Sequence, residues 1–196
     1  MTKVDVIIPV YYCDESLFLP IEMCFSTLHA CYPWIEPYGI DDCSPLDVPS
    51  HWPIQEYNAV NEGYTATVNR GLRNTNGDIV IVANDDLQFI PHSLDRFFDL
   101  PDGVVASPAD TASGDSDRFG AIFGMTRNTL NQIGYLDEKY RNFYSDEDYY
   151  NRAKALGIEI VKWRDIVLPH VESATFKLVD KKSLFEADKS VWEDNK

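Results

Sequence analysis

The sequence predicts an α/β protein built on a mostly parallel central sheet with helices on both faces. Three observations carry that expectation. Short β-branched runs alternate with segments of helical periodicity along the chain. VDVIIPV (4–10), a short β-branched run ended by Pro9, reads as a buried parallel strand, and DIVIVA (78–83) is the clearest strand of all, apolar on both faces. Three turn-rich or acidic segments stand just past strand ends: Pro9-Val10-Tyr11, Asp41-Asp42-Cys43-Ser44-Pro45 and Asn84-Asp85-Asp86. Open sheets of this kind keep their ligand crevice beyond the carboxyl ends of the strands, where strand order reverses.

The elements follow in order. After the first strand, Leu17, Ile21, Cys24, Phe25 and Leu28 recur at helical spacing, with Asp14 or Ser16 as cap. A second strand is expected near Tyr38–Ile40, shortened by Pro37 and Gly39. IQEYNAV (54–60) reads as a third, and EGYTATVNRGLRNT (62–75) as a helix with Gly77 just past its end. DIVIVA is followed by a helix over HSLDRFFDL (92–100) and a strand over GVVASPA (103–109). TASGDSDRFG (111–120) is a polar loop and the best candidate for a mobile segment. AIFGMTR (121–127) returns to strand, NTLNQIG and DEDYYNRAKALG read as helices, and IEIVKWRDIVL (158–168) supplies the last strand or strands. Residues 1–180 are expected to form one domain, and 181–196 a charged helix or frayed tail.

The chain of 196 residues, 44% apolar and 13% aromatic, is sufficient for a real core. Acids outnumber bases 32 to 17, a formal charge of −15, which argues against non-specific binding to DNA, RNA or anionic lipid. A phosphate-bearing substrate would need local help from a metal or from backbone N–H groups. Cys13, Cys24, Cys31 and Cys43 match no common zinc spacing and read as reduced thiols of a cytoplasmic protein. No stretch is long and apolar enough for a membrane span, and the N-terminus runs straight into a strand without a signal-peptide pattern.

Asp85 and Asp86 raise a question of their own. Adjacent carboxylates repel and are costly to bury, so their place at the end of a greasy run reads either as a solvated turn or as a cation site. The shared location of all three strand-end segments favours the cation site.

Taken together, VDVIIPVYY, YPWIEPYGIDDCSP and NEGYTATVNRGLRNTNGDIVIVANDD resemble the nucleotide-sugar-binding half of family 2 glycosyltransferases. GAIFGMTRNTLNQIGYLDEKYRNFYSDEDYYNRAKALG resembles the acceptor-side half. The ordered match covers about residues 4–175. It implies a GT-A fold, with residues 1–90 holding the donor and 103–175 the acceptor and catalytic half. It also implies transfer of a sugar from a nucleotide diphosphate.

The resemblance assigns roles residue by residue. Asp86 matches the last acid of a DxD-type motif, which holds Mg²⁺ or Mn²⁺ against the donor diphosphate; Asn84 stands where that motif often has its first Asp. Asp85 contacts the ribose or faces solvent. Asp42, beside Asp41, matches an acidic pair able to accept a hydrogen bond from a base N–H, with a turn cap as the alternative. Pro9, Val10 and Tyr11 match the strand end that frames the base, although Tyr12 replaces the usual Asn. Asn61, Gly63 and Asn69 match the N-x-G…N positions; Gly63 would let backbone approach the nucleotide. Asp146 matches the general base of inverting members, a job that apolar neighbours such as Phe143 and Tyr144 would favour by raising its pKa. His170 matches a histidine that completes the metal site or touches the diphosphate.

The reading is a metal-dependent transferase of a UDP- or dTDP-linked hexose, glucose- or rhamnose-like. Its acceptor would be a glycan, a lipid-linked sugar or a glycoprotein. A nucleotidyltransferase is a rival, though YYCDESLF lacks the glycine- and base-rich phosphate loop expected of one. A non-catalytic sugar-nucleotide or glycan-binding module is another.

Overall fold

The computed structural model describes residues 2–111, 119, 121–171, 178 and 180–194. Seven strands form one sheet: β1 (Val4–Val10), β2 (Tyr38–Asp41), β3 (Ile54–Tyr57), β4 (Ile79–Ala83), β5 (Val104–Asp110), β6 (Ile122–Thr126) and β7 (Glu159–Leu168). Their order is β3-β2-β1-β4-β6-β5-β7. β6 runs antiparallel to both β4 and β5, and the remaining pairings are parallel. Every strand except β6 therefore ends at the same edge of the sheet. The chain leaves β1 for β2 on one side and returns to β4 on the other, so the switch point lies between β1 and β4.

Among the described residues, α1 (Phe18–Cys31), α2 (Tyr64–Asn74), α3 (Arg127–Ile133) and α4 (Ser145–Ala155) cover the sheet, and a fifth helix, α5 (Lys181–Asp194), packs on the 140–144 loop. The period-2 geometry of strands divides the core in two. Val6, Ile8 and Val10 of β1, with Ile79 and Ile81 of β4, face Ile21, Cys24, Phe25 and Leu28 of α1. Ile7, Val80 and Val82 face the opposite way, onto Val68 and Leu72 of α2, Leu130 and Ile133 of α3, and Tyr149 and Ala153 of α4. This is why β4 reads as an unbroken apolar run, and β1 as one interrupted only by Asp5 near its start. All four cysteines are free thiols. Among the described residues, no helix is long and apolar enough to cross a membrane.

Three local expectations are corrected. The helix over 92–100 is a single 3₁₀ turn, Asp95–Asp99. Pro91 and Pro101 bracket a segment too short to propagate a helix, His92 is left-handed at φ 67°, and burial of Leu94 and Phe97 pins the tight turn. β3 stops at Tyr57 rather than Val60, because Asn58 turns inward and its N–H bonds to Asp41 O at 2.8 Å. α1 begins at Phe18, because Asp14 caps a preceding 3₁₀ turn by accepting from Ser16 N at 2.9 Å. Of the 111–120 loop, only Thr111 and Phe119 are among the described residues.

Candidate active site

The strand ends converge on one cavity of about 430 Å³. Pro9, Val10 and Tyr11 line it from β1, Asp42 from β2, Asn84, Asp85 and Asp86 from β4, and His170 from beyond β7. Asn61 and Tyr64 come from the start of α2, and Asp146 from the first turn of α4. Asp86 and Asp146 thus share one hollow.

Asp86 is 6% exposed, and His170 Nε2 lies 2.9 Å from its Oδ1. The two side chains are hydrogen-bonded partners here, and side by side they offer an oxygen and a nitrogen donor of the kind that Mn²⁺ or Mg²⁺ could take. Beside this pair, the carboxyl of Asp85 is pushed up to about 8, first by desolvation and then by the charge of Asp86. Four carboxylates line the cavity, those of Asp42, Asp85, Asp86 and Asp146. Arg141 is the one lysine or arginine among the described lining residues. Among the described residues no group of three or more His, Cys, Asp or Glu side chains forms a metal cage. An ion held by Asp86 and His170 would take its remaining ligands from phosphate oxygens and water, the habit of Mg²⁺ and Mn²⁺ at phosphate sites.

The acidic pair after β2 splits. Asp41 turns away from the cavity and accepts from the backbone N–H and the hydroxyl of Ser44, a local turn cap. Asp42 lines the cavity, and its carboxylate also ties down the entry to α2. It accepts from Asn58 Nδ2 and Glu62 N, both at 2.8 Å, and from Gly63 N at 2.9 Å.

The N-x-G…N residues divide too. Asn61 lines the cavity and bonds through Nδ2 to Asp42 O at 3.2 Å. Gly63, at φ 88°, sits against Arg141: an added Cβ would lie 2.9 Å from Arg141 O and closer still to its Cγ. What comes close to this glycine is a neighbouring loop. Asn69 is fully buried and bridges α2 to the 136–138 turn. Its Nδ2 donates to Leu136 O and Glu138 Oε1, both at 2.9 Å, and its Oδ1 accepts from Leu136 N at 3.0 Å.

Asp146 stands in the first turn of α4, behind Tyr144, which caps the helix in a left-handed conformation at φ 63°. Sequence reasoning passed over several lining residues. Tyr64 is pushed far above the ordinary phenol range by burial, then by the charges of Asp146, Asp85 and Asp86, so its hydroxyl stays protonated. Arg141 and Leu184 also line the cavity. Tyr64 sat within a motif already singled out. Arg141 carried no signal of its own, and Leu184 lay in what read as a tail.

By sequence alone, no family model and no curated protein matches the chain. Solved structures do match. Over 88% of this chain the fold superposes on a mannosyltransferase from Pyrobaculum calidifontis, solved with GDP-Man and Mn²⁺, at TM-score 0.71 and 16% identity. GalNAc-T7, solved with UDP, GalNAc and Mn²⁺, matches over 87% at TM-score 0.69 and 12% identity. TarS of S. aureus matches over 87% at TM-score 0.63 and 13% identity. The chain spans 58%, 43% and 37% of these structures respectively, less than two thirds of each. The chain has the GT-A fold of these glycosyltransferases.

Proposed function

We propose that this chain is a metal-dependent, inverting glycosyltransferase. It moves a glucose- or rhamnose-like hexose from a UDP- or dTDP-sugar to a hydroxyl of a glycan, a lipid-linked sugar or a glycoprotein. The observation that carries the reading is one cavity lined both by the Asp86–His170 pair and by Asp146 at the start of α4. Residues 1–90 hold the donor and 103–175 the acceptor.

Asp86 and His170 would hold the ion, Mn²⁺ or Mg²⁺. When bound, it supplies positive charge that stabilises the departing diphosphate. The strand end at Pro9-Val10-Tyr11, with Asp42 and Asn61, frames the nucleoside. A carboxylate at the base end suits the N3–H of a pyrimidine, which is why uridine or thymidine is preferred. Asp146 accepts the proton of the acceptor hydroxyl as that oxygen attacks the anomeric carbon, and the bond to the diphosphate oxygen breaks. Attack from the face opposite the leaving group inverts the anomeric centre.

The test is a panel of UDP-glucose, dTDP-rhamnose, UDP-GalNAc and GDP-mannose, each with Mn²⁺ or EDTA, scored by release of nucleoside diphosphate. Release from a UDP- or dTDP-sugar that stops in EDTA is expected. Nucleotide binding without release, acceptors included, would leave a binding module. Pyrophosphate made from sugar phosphate and NTP would indicate a nucleotidyltransferase. NMR of the product's anomeric proton reads inversion.

A further inference from the structure

One face of α5 is a charged surface, with Lys182, Glu186, Lys189 and Glu193 exposed. One of its acids breaks the pattern. Asp188 is 4% exposed, a costly place for a carboxylate unless its oxygens are satisfied. They are satisfied by three consecutive backbone N–H groups: Arg141 at 2.9 Å on Oδ1, and Asn142 and Phe143 at 2.8 Å on Oδ2. Amides aimed in succession at one anion make a rigid cradle.

Aromatic contacts close the same joint. Phe185 packs on Phe143 at 5.5 Å and on Tyr144 at 5.4 Å between ring centres. Trp192 stacks on Tyr144 at 5.5 Å with 23° between planes, and meets Tyr140 at 6.0 Å. Tyr144 is the left-handed residue that turns the chain into α4, a conformation that persists only where the surroundings enforce it. Two positions later stands Asp146. On its other side the loop is bound to the start of α2. Arg141 O accepts from Thr65 N at 3.1 Å, Asn142 Oδ1 accepts from Tyr64 N at 3.2 Å, and the Arg141 guanidinium donates to Asn61 O at 2.7 Å.

We infer that Asp188 is a positioning residue: by holding the amides of 141–143 against α5 it fixes Tyr144 and so aims Asp146 into the cavity. The inference rests on the proposed role of Asp146 as base. α5 is then part of the active site's frame, although only its Leu184 lines the cavity. A carboxylate is required there, because an amide side chain would turn an NH₂ group toward backbone donors.

The experiment uses the full chain with Asp188→Ala, Asp188→Asn and Asp188→Glu, and reads hydrogen exchange, nucleotide affinity and steady-state kinetics. Hydrogen exchange of the 141–143 amides should accelerate at least ~10-fold in Asp188→Ala, while β1 and β4 amides keep their protection. Affinity for UDP with Mn²⁺ should stay within about threefold. For the sugar nucleotide that turns over fastest in the panel above, kcat should fall about 10²-fold in Asp188→Ala, as a misplaced catalytic group predicts, with donor KM little changed. The kcat of Asp188→Asn should fall between those of the wild type and Asp188→Ala, and Asp188→Glu should recover part of the loss. Should Asp188→Ala fail to fold, the near-isosteric Asn variant carries the same readouts. Unchanged kcat in a folded variant, or kcat and UDP affinity lost together, would overturn the inference. Failure of the functional reading looks different: Asp146→Asn would then keep full kcat, whatever exchange at 141–143 shows.

Discussion

His170 Nε2 lies 2.9 Å from Asp86 Oδ1, although 84 positions separate them in sequence. The backbone makes the meeting. Leu87 and His170 form an isolated antiparallel bridge, Val171 N donates to Asp86 O at 3.1 Å, and Gln88 N donates to Pro169 O at 2.9 Å. The segments leaving β4 and β7 are thus stitched together just beyond the sheet. They can meet because both strands end at the same edge.

Removing either partner should weaken the metal before it weakens the fold. Asp86→Ala deletes the carboxylate proposed to hold the ion. It is expected to lower Mn²⁺-dependent affinity for UDP by at least ~10²-fold, and His170→Ala by ~10-fold or more. Calorimetric titration of UDP with and without Mn²⁺ measures both. Wild-type affinity in Asp86→Ala would remove that carboxylate from the metal site.

Asn69 should behave in the opposite way. Its side chain is fully buried and joined to Leu136 and Glu138. Asn69→Ala leaves the Leu136 amide and carbonyl without these partners, at an expected cost of roughly 2–3 kcal/mol. Urea unfolding reads that loss. UDP affinity of the folded fraction, with Mn²⁺ present, is expected to be unchanged, which would separate a tie between α2 and the 136–138 turn from a nucleotide contact.

Asp41 and Asp42 show where sequence reading stops. Chemically the two are identical, and their position after a strand was legible from the run ending at Ile40. Which one faces the cavity is set by strand alternation and by Ser44, whose hydroxyl and N–H claim Asp41. β4 was readable because burial on both faces leaves an unbroken apolar signature, and β1 because only Asp5 interrupts its own. The 92–100 segment was not, because its periodicity suits a helix while the flanking prolines and the burial of Phe97 decide the geometry. Arg141, Leu184 and Asp188 reach the site from loops and helices far along the chain. No local spacing announces such contacts; they arise from packing of α5 on the 140–144 loop.

Gly63 is expected to tolerate no side chain. Its backbone, at φ 88° and ψ 168°, lies in a region that side chains rarely adopt, costing about 1–3 kcal/mol. A Cβ would also press on the backbone oxygen of Arg141, which accepts from Thr65 N. Gly63→Ala should therefore lower thermal stability and displace the 141 loop, with a drop in kcat larger than the drop in folded fraction. Melting curves beside kcat measurements test this. A variant with wild-type Tm and kcat would show that the loop adapts freely.

Asp146→Asn is the sharpest test of the chemistry. The substitution keeps the size and polarity of the side chain and stays in the first turn of α4, so the cavity keeps its shape. What it removes is a basic oxygen able to hold the acceptor's proton. General-base assistance contributes about 10²–10⁴-fold, and kcat should fall within that range. UDP affinity in Mn²⁺ should stay within about twofold, because the ion is assigned to Asp86 and His170. Steady-state kinetics and calorimetry on the same preparation give both numbers. A variant that loses nucleotide affinity along with turnover would shift Asp146 to the donor side of the cavity, and the proton would need another acceptor.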